Sequence, residues 1–387
     1  MESPTTDTPV ELIPADAPER GPERGIALCL SGGGYRAMLF HLGALWRLNE
    51  LGYLPRLDRV SSVSGGSIAA GVLGLAWPKL DFDGGVGRGF SEAVAAPIRA
   101  LAGETIDLSA VLRGLLGPGS ANDRVVRAYK HHLYGDHTLQ DLPDRPRFVI
   151  NATNLQSGVL WRFSKPYMWD YRVGKIADPR VELAVAVAAS SAFPPVLSPA
   201  VLEFEESDYT PNTGTDLQRP PFTTAVFLAD GGVYDNLGLE TAWKRYTTIL
   251  VSDGGGHLAP QEEPARDWPR HGLRVSELLD RQVRALRKRQ VIASYKLPSD
   301  QRDHRDGAYW GIRSDITHFG LNDALPCPVA QTIVLAETPT RLSELDARDQ
   351  ARLINWGYAI CDAGMRAHVE KGLPPPPGFP YSDARVG

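Results

Sequence analysis

Apolar residues in this chain come in short runs that end at glycines, and helical spacing follows each run. Residues 26–30 (Ile-Ala-Leu-Cys-Leu) are the first such run. A stretch that short and apolar at every position predicts a strand buried on both faces. Ser31-Gly32-Gly33-Gly34 follows. Residues 35–51 then repeat apolar positions at Met38, Leu42, Leu45 and Leu48, with Gly52 as a stop, which predicts a helix. Residues 59–63 predict a second strand, closed by Ser64-Gly65-Gly66 and an apolar helix from Ser67. Strand, glycine turn and helix, twice in succession, predict a parallel α/β sheet with right-handed crossovers.

The pattern loosens after residue 80, where Gly84, Gly85, Gly87 and Gly89 suggest a mobile link. Strands are expected over 148–155 and 159–164, joined as a hairpin by Gln156-Ser157-Gly158. Residues 181–189 predict a small apolar helix ending in Ser190-Ser191-Ala192-Phe193-Pro194-Pro195. A strand over 223–229 delivers Asp230-Gly231-Gly232, and one over 248–252 ends at Asp253-Gly254-Gly255-Gly256. Residues 275–292 predict an amphipathic helix with Leu278, Leu279, Val283 and Leu286 on one side and Arg281, Arg284, Arg287, Lys288 and Arg289 on the other. A last helix is expected over 343–369, with Leu345, Leu353, Ile354, Tyr358 and Cys361 inward.

Composition narrows the class. The 387 residues are 43% hydrophobic and 22% charged, the balance of a globular chain, which excludes a collagen, a simple coiled coil or a mainly disordered protein. A net charge of -5 argues against nonspecific nucleic-acid binding. Three scattered cysteines, Cys29, Cys327 and Cys361, make neither a disulfide framework nor a CxxC zinc site. His131, His132 and His137 lack carboxylates at ligand spacing, so no metal is expected. The longest apolar run, 68–77, falls short of the roughly 20 residues that cross a bilayer. Residues 1–24 lack a signal-peptide pattern. They are expected to be a flexible tail of a cytoplasmic protein.

The chemistry concentrates at strand ends. Ser62-Val63-Ser64-Gly65-Gly66 differs by one residue from the G-x-S-x-G elbow, in which a tight strand-to-helix turn exposes a serine oxygen. Gly65 and Gly66 let backbone pass close beneath a substrate. Gly32, Gly33 and Gly34, also between strand and helix, offer consecutive amides to an anion. They match neither the G-x-x-x-x-G-K-[ST] nor the G-x-G-x-x-G nucleotide pattern, position 37 being alanine. Side by side, the two turns make an acyl-transfer site with a serine nucleophile and an oxyanion hole.

The order G-G-G-x-R, S-x-S-G-G, A-S-S-A-F-P-P and D-G-G, over residues 31–236, resembles the patatin-like phospholipases. Ser31 to Met38 also looks like the oxyanion loop of the cytosolic phospholipase A group. The resemblance implies a three-layer α/β/α fold with a mainly parallel central sheet. It implies a Ser-Asp dyad without histidine: Ser64 as nucleophile, Asp230 as base, Gly33 and Gly34 in the oxyanion hole with Gly32 shaping the loop. Arg36 would steady the site or meet a lipid phosphate. Neither cofactor nor metal is implied, and the expected substrate is a phospholipid or other acyl-ester lipid. Ser62 and Ala37 stand where the family has glycines.

Rival assignments remain open at this level. Asp253-Gly254-Gly255 is a second D-G-G at a strand end, without the V-Y-D-N that follows Asp230; Asp83-Gly84-Gly85 follows no strand. His257, His271, His304 or His318 would complete a Ser-His-Asp esterase acting on small soluble esters. A lipid-binding regulatory protein with an idle hydrolase site is the remaining alternative. The 275–292 helix is expected to set its apolar side on the core and its basic side in water; the other arrangement is peripheral contact with a membrane. The expected organisation is a tail over 1–24, a catalytic domain over 25–372 with 260–320 as a peripheral or lid segment, and a flexible proline-rich tail over 373–387.

Overall fold

A computed structural model describes residues 21–106 and 120–387; most of the expected N-terminal tail lies outside them. The strands are β1 (Glu23–Leu30), β2 (Arg59–Ser62), β3 (Asp81–Asp83), β4 (Val86–Arg88), β5 (Arg147–Asn154), β6 (Val159–Ser164), β7 (Tyr167–Asp170), β8 (Gly174–Ala177), β9 (Ala200–Glu203), β10 (Tyr209–Thr210), β11 (Ala225–Asp230), β12 (Tyr246–Asp253) and β13 (Asp306–Gly311). The helices are α1 (Gly34–Glu50), α2 (Gly65–Ala76), α3 (Ala96–Ala102), α4 (Ala121–Tyr129), α5 (Leu183–Ser190), α6 (Gly232–Asp235), α7 (Glu240–Trp243), α8 (Trp268–Ser294), α9 (Val329–Ala336) and α10 (Ala347–Gly364). The expected mobile link at 84–89 is the β3–β4 hairpin, where Asn49 Nδ2 donates to the Gly87 carbonyl at 3.0 Å and the Gly87 N–H donates back at 2.8 Å.

One sheet runs β10-β8-β7-β6-β5-β2-β1-β12-β13, with β11 paired to β5 and β9. Strands β5, β2, β1, β12 and β13 are parallel neighbours; β6, β7, β8 and β10 extend the sheet antiparallel. Alternation along β1 explains the continuous apolar run. Leu28 and Leu30 enter the larger core with α1, α2 and α10, whereas Ala27 and Cys29 enter a second core with Leu237, Leu239, Ala242 and Val291. Both faces are covered, giving the three-layer α/β/α architecture with a mainly parallel sheet.

Register aligns the turns. Leu30 pairs with Ser62 and with Ser252, so the glycine turns after β1, β2 and β12 stand side by side. Strand β5 is the exception to one-strand-per-edge pairing. Residues 147–150 pair with β2 in parallel, and residues 152–154 pair with β11 in the opposite direction. The ends of β2 and β11 therefore approach each other along the same edge of β5.

Helix α8 overturns its expected orientation. Its apolar stripe faces solvent, with Trp268 85%, Leu279 58% and Leu286 59% exposed, and Val275 and Leu278 also exposed. Its arginines face the protein: Arg284 donates from Nε to Asp253 Oδ2 at 3.1 Å, and Arg287 from Nη2 to Glu240 Oε2 at 2.8 Å. Buried carboxylates, not apolar area, anchor this length of helix; only its end, around Val291, enters a core. Residues 373–387, expected to be flexible, instead close on α10. Asn355 Nδ2 donates to the carbonyls of Tyr381 at 2.8 Å and Arg385 at 2.7 Å, and the Tyr381 N–H donates to Asn355 Oδ1 at 3.0 Å.

Helices α1 and α10 cross backbone to backbone. A β-carbon on Gly357 would lie 1.8 Å from the Phe40 carbonyl oxygen, and one on Gly43 would lie 1.9 Å from that of Ile354. Gly357→Ala must push the helices apart, at a cost of about 3 kcal/mol. Denaturant unfolding of the variant measures this; a loss below about 1 kcal/mol would mean that the crossing yields freely.

Candidate active site

Ser64 occupies the turn between β2 and α2 with φ 51° and ψ -120°, a strained backbone that turns its side chain out of the sheet. Its N–H donates to Ser190 Oγ at 3.0 Å, and Ser190 Oγ donates to the Asn151 carbonyl at 2.6 Å. The Ser62 hydroxyl that stands where the elbow pattern has glycine is accommodated by Ser67, whose Oγ donates to it at 3.0 Å. Gly65 permits the close passage of the neighbouring turn: a β-carbon there would lie 2.2 Å from the Gly34 carbonyl oxygen.

Asp230 ends β11 and is 3% exposed. Its N–H donates to the Ala192 carbonyl at 2.8 Å, and Thr153 Oγ1 donates to its carbonyl at 2.8 Å. Its carboxylate accepts the Gly232 N–H at 2.7 Å on Oδ1, and the Ser64 hydroxyl lies near enough to lower its proton affinity. Burial pushes the carboxyl up to about 7, with these two donors opposing and the charge of Asp280 adding to the rise. The strand pairing thus brings Ser64 and Asp230 together as a hydroxyl and a buried carboxylate.

The loop after β1 supplies amides. Gly33 (φ 147°) and Gly34 (φ 60°) hold backbone that side-chain-bearing residues rarely adopt. Among the described residues, the N–H groups of Gly33, Gly34 and Gly65 have no hydrogen-bond acceptor. Gly32 differs: its N–H is taken by Asn236, at 3.1 Å to the carbonyl and 3.0 Å to Oδ1. Gly32 also lies against the serine, since a β-carbon on it would be 3.2 Å from Ser64 Cβ. Gly66 donates to the Ser31 carbonyl at 3.1 Å, tying the two turns together.

Arg36 is 2% exposed, which closes it to a lipid phosphate. Its Nε donates to the Gly254 carbonyl at 3.1 Å and its Nη1 to the Thr338 carbonyl, clamping the glycine loop between β12 and the 338–342 segment. Asp253 lies two strands from Ser64 and is occupied: it accepts Arg284, the Tyr309 hydroxyl at 2.6 Å and the Gly255 N–H at 3.0 Å. Asp83 belongs to the exposed β3–β4 hairpin, paired with Arg88.

Among the described residues, no histidine bonds to Ser64 or Asp230. His304 contacts the Leu297 carbonyl at 2.8 Å and Asp306 at 3.2 Å; His318 approaches Asp315; His257 and His271 are exposed. The sequence reading overlooked His41, buried beneath the glycine loop. Its Nε2 donates to the Ser31 carbonyl at 2.9 Å and its Nδ1 accepts the Ser252 hydroxyl at 2.8 Å. Only the neutral ring can both donate and accept in this way, and burial pushes its pKa down to about 4. Ser190 and Asn236 were visible inside the A-S-S-A-F-P-P and D-G-G-V-Y-D-N blocks. Asp280, which lies near Asn236, was not, because it sits within an ordinary amphipathic pattern.

The comparisons bear on the family and the fold. A family model described as patatin-like phospholipase matches residues 28–243. No curated protein matches the chain. Among solved structures, human GIVD cytosolic phospholipase A2 is similar over 87% of this chain and 58% of its own, with 14% identity and a TM-score of 0.50. That human protein with methyl gamma-linolenyl fluorophosphonate inhibitor and terbium chloride is similar over 88% and 58%, with 17% identity and a TM-score of 0.49. VipD from Legionella pneumophila is similar over 87% of this chain and 66% of its own, with 15% identity and a TM-score of 0.35. At such identities the likeness is one of fold, and the chain spans little more than half the length of the human protein. The matched segment covers over half of the chain and contains both glycine turns, Ser64 and Asp230, so this chain belongs to the patatin-like phospholipase family.

Proposed function

We propose that the protein hydrolyses carboxylic esters of lipids, in the manner of a phospholipase A or lysophospholipase, through an acyl-enzyme on Ser64. The observation that supports this reading is the meeting of the β2 and β11 ends on β5, which sets the Ser64 hydroxyl beside the buried Asp230 carboxylate. In the first half-reaction Ser64 Oγ attacks the ester carbonyl and its proton passes to Asp230. The N–H groups of Gly33, Gly34 and Gly65 hold the oxyanion. Collapse breaks the ester C–O bond, and Asp230 returns the proton to the departing alcohol. Water then attacks the acyl-enzyme, Asp230 takes its proton, and the second collapse frees the fatty acid and reprotonates Ser64. Gly32 and Arg36 position the loop without touching the reacting atoms.

The lipid, rather than a small soluble ester, is favoured by α8. Helix α8 packs against α6, the short helix that directly follows Asp230, and Asp280 on it lies near Asn236, which holds Gly32, so the helix lies beside the site. Its outward stripe of Trp268, Val275, Leu279 and Leu286 is a contiguous exposed apolar surface of the kind that enters an interface. Among the described residues no helix is long and apolar enough to cross a membrane, and the contact proposed here is peripheral.

Three measurements test the reading. A fluorophosphonate probe should label Ser64 in the native chain and not in Ser64→Ala. Ester hydrolysis should fall by at least about a thousandfold in Ser64→Ala and in Asp230→Asn, with the double variant little worse, because the two groups act as one unit. An unlabelled Ser64 would leave a lipid-binding protein with an idle site, and a histidine variant as inactive as Ser64→Ala would restore the triad esterase.

The second test is pH. A base held near 7 must be ionised, so kcat/KM should rise as pH increases through that value. Stability moves the other way. The folded carboxyl binds its proton more tightly than the unfolded one, so it stabilises below the ordinary aspartate range and that contribution is lost as pH rises toward 7. Asp230→Asn should therefore gain stability relative to the native chain between pH 5 and pH 8. A melting difference that is flat across this window would remove the raised carboxyl.

The third test addresses α8. Changing Trp268, Leu279 and Leu286 together to Ser should release the protein from phosphatidylcholine vesicles and slow hydrolysis of vesicle lipid at least tenfold. Turnover of a soluble short-chain ester should change less than about twofold. Equal vesicle binding by both proteins would show that this face does not meet lipid.

A further inference from the structure

Between the C-terminal ends of β12 and β13 and one side of α8 lies a cavity of about 190 Å3. Four cations line it: Arg281, Arg284 and Lys288 from α8, and Arg313 from the turn after β13. The one carboxylate in the lining, Asp253, is already engaged by Arg284 and by the Tyr309 hydroxyl. The other three cations make no ion pair with a carboxylate among the described residues. Lys288 stands over the Tyr309 ring at 4.5 Å, which leaves its N–H donors free. Asp280 and Glu277 lie near Arg281, and Glu337 near His257. Of these, Asp280, which burial pushes up to about 6, makes no ion pair with Arg281 and acts on it only at a distance.

The cations bear on one another. Burial and the charge of Arg284 pull Arg281 down to about 10, and His257, after burial, is lowered by Arg281, Arg313 and Arg284. In a chain of net charge -5, a pocket in which three cations lack an ion pair costs folding energy unless an anion relieves it. Forked guanidinium groups beside a point-charge lysine suit the oxygens of a phosphoryl group.

We propose that this cavity binds a phosphate dianion, carried by an anionic lipid headgroup or as free phosphate. The lipid source rests on the lipid-ester reading above; the anion chemistry does not. The cavity lies between the third and fourth strands counted from β2 through β1, β12 and β13. At about 4.8 Å per strand it is roughly 12 Å from the elbow. The phosphodiester of the lipid being cleaved is only a few bonds from its ester, so the anion belongs to a second molecule. Its contact with Arg281, next to Asp280 and the Asn236–Gly32 link, seats α8 beside the reacting serine.

Calorimetry with inorganic phosphate, at constant ionic strength and on Ser64→Ala protein so that no turnover intervenes, reads the site directly. Saturable binding is expected, weakened at least tenfold in Arg281→Gln/Arg313→Gln. Arg313→Gln alone, at an exposed position, serves if the double variant fails to fold and should weaken binding at least threefold. For the lipid source, phosphatidylcholine vesicles containing phosphatidate are compared with vesicles of equal charge made with phosphatidylglycerol. Stronger retention on phosphatidate, abolished in the same variants, identifies the headgroup phosphomonoester. Phosphate binding without that preference identifies free phosphate. No phosphate binding, or equal binding by native and variant side chains, overturns the proposal. Neither readout needs hydrolysis, so its failure is distinct from a failure of Ser64 to take the fluorophosphonate.

Discussion

The shared edge of β5 is the constraint on which the rest of the molecule depends. A strand edge offers one row of hydrogen-bonding groups. Here β2 uses the first part of the row in one direction and β11 uses the remainder in the other. Two strands so arranged must point their C-terminal ends at each other. Ser64 lies just past one end and Asp230 at the other, so the nearness of two residues 166 positions apart follows from backbone pairing. Side-chain chemistry then fixes the detail. Ser190 receives the Ser64 N–H while its own hydroxyl donates to the Asn151 carbonyl on β5, and Thr153 on β5 donates to the Asp230 carbonyl. One strand therefore carries the geometry of both groups.

Burial of Asp230 follows from that pairing and sets its chemistry. A carboxylate at the meeting point of two strand ends is surrounded by backbone, not water. Desolvation raises its proton affinity, and only two donors, the Gly232 N–H and Ser64, oppose the shift. A base taking a proton from an alcohol gains from that rise, because a carboxyl of ordinary acidity would hold the proton too weakly. The neighbouring loop needs no titratable group. Its unmatched N–H groups are fixed by positive-φ glycines and held from behind by Arg36, His41 and Asn236.

Much of this was legible in the sequence, for identifiable reasons. The apolar run at 26–30 and the elbow at 62–66 are local patterns, and local patterns survive folding. The boundaries of β11 and β12 shifted by only a residue or two from expectation, and the strand ends carrying Asp230 and Asp253 were correctly assigned. Short strands such as β8 (Gly174–Ala177) were missed, since four residues carry no readable alternation. Strand β13 was missed because Asp306 and Gly307 disguise its start. The C-terminal segment reads as a proline-rich tail, yet one buried side chain, Asn355, fixes it through three hydrogen bonds. No pattern within residues 373–387 announces a partner that lies on another helix.

Helix α8 shows why amphipathicity alone does not orient a helix. A period of 3.6 says that two faces differ, not which one turns inward. Turning the leucines inward would bury apolar area, at roughly 25 cal/mol per Å2. It would also strand the buried Asp253 without Arg284, its ion-pair partner, and leave Glu240 with Lys244 alone. An unpaired buried carboxylate costs several kcal/mol, comparable with the burial of two or three leucine side chains. The polar anchor therefore offsets the apolar one along the middle of the helix, and the observed packing leaves the leucines outside beside the glycine loop. The same ion pairs that invert the helix leave an exposed apolar stripe on the helix that packs beside Ser64 and the buried Asp230, the combination on which the proposed lipid-ester hydrolysis rests.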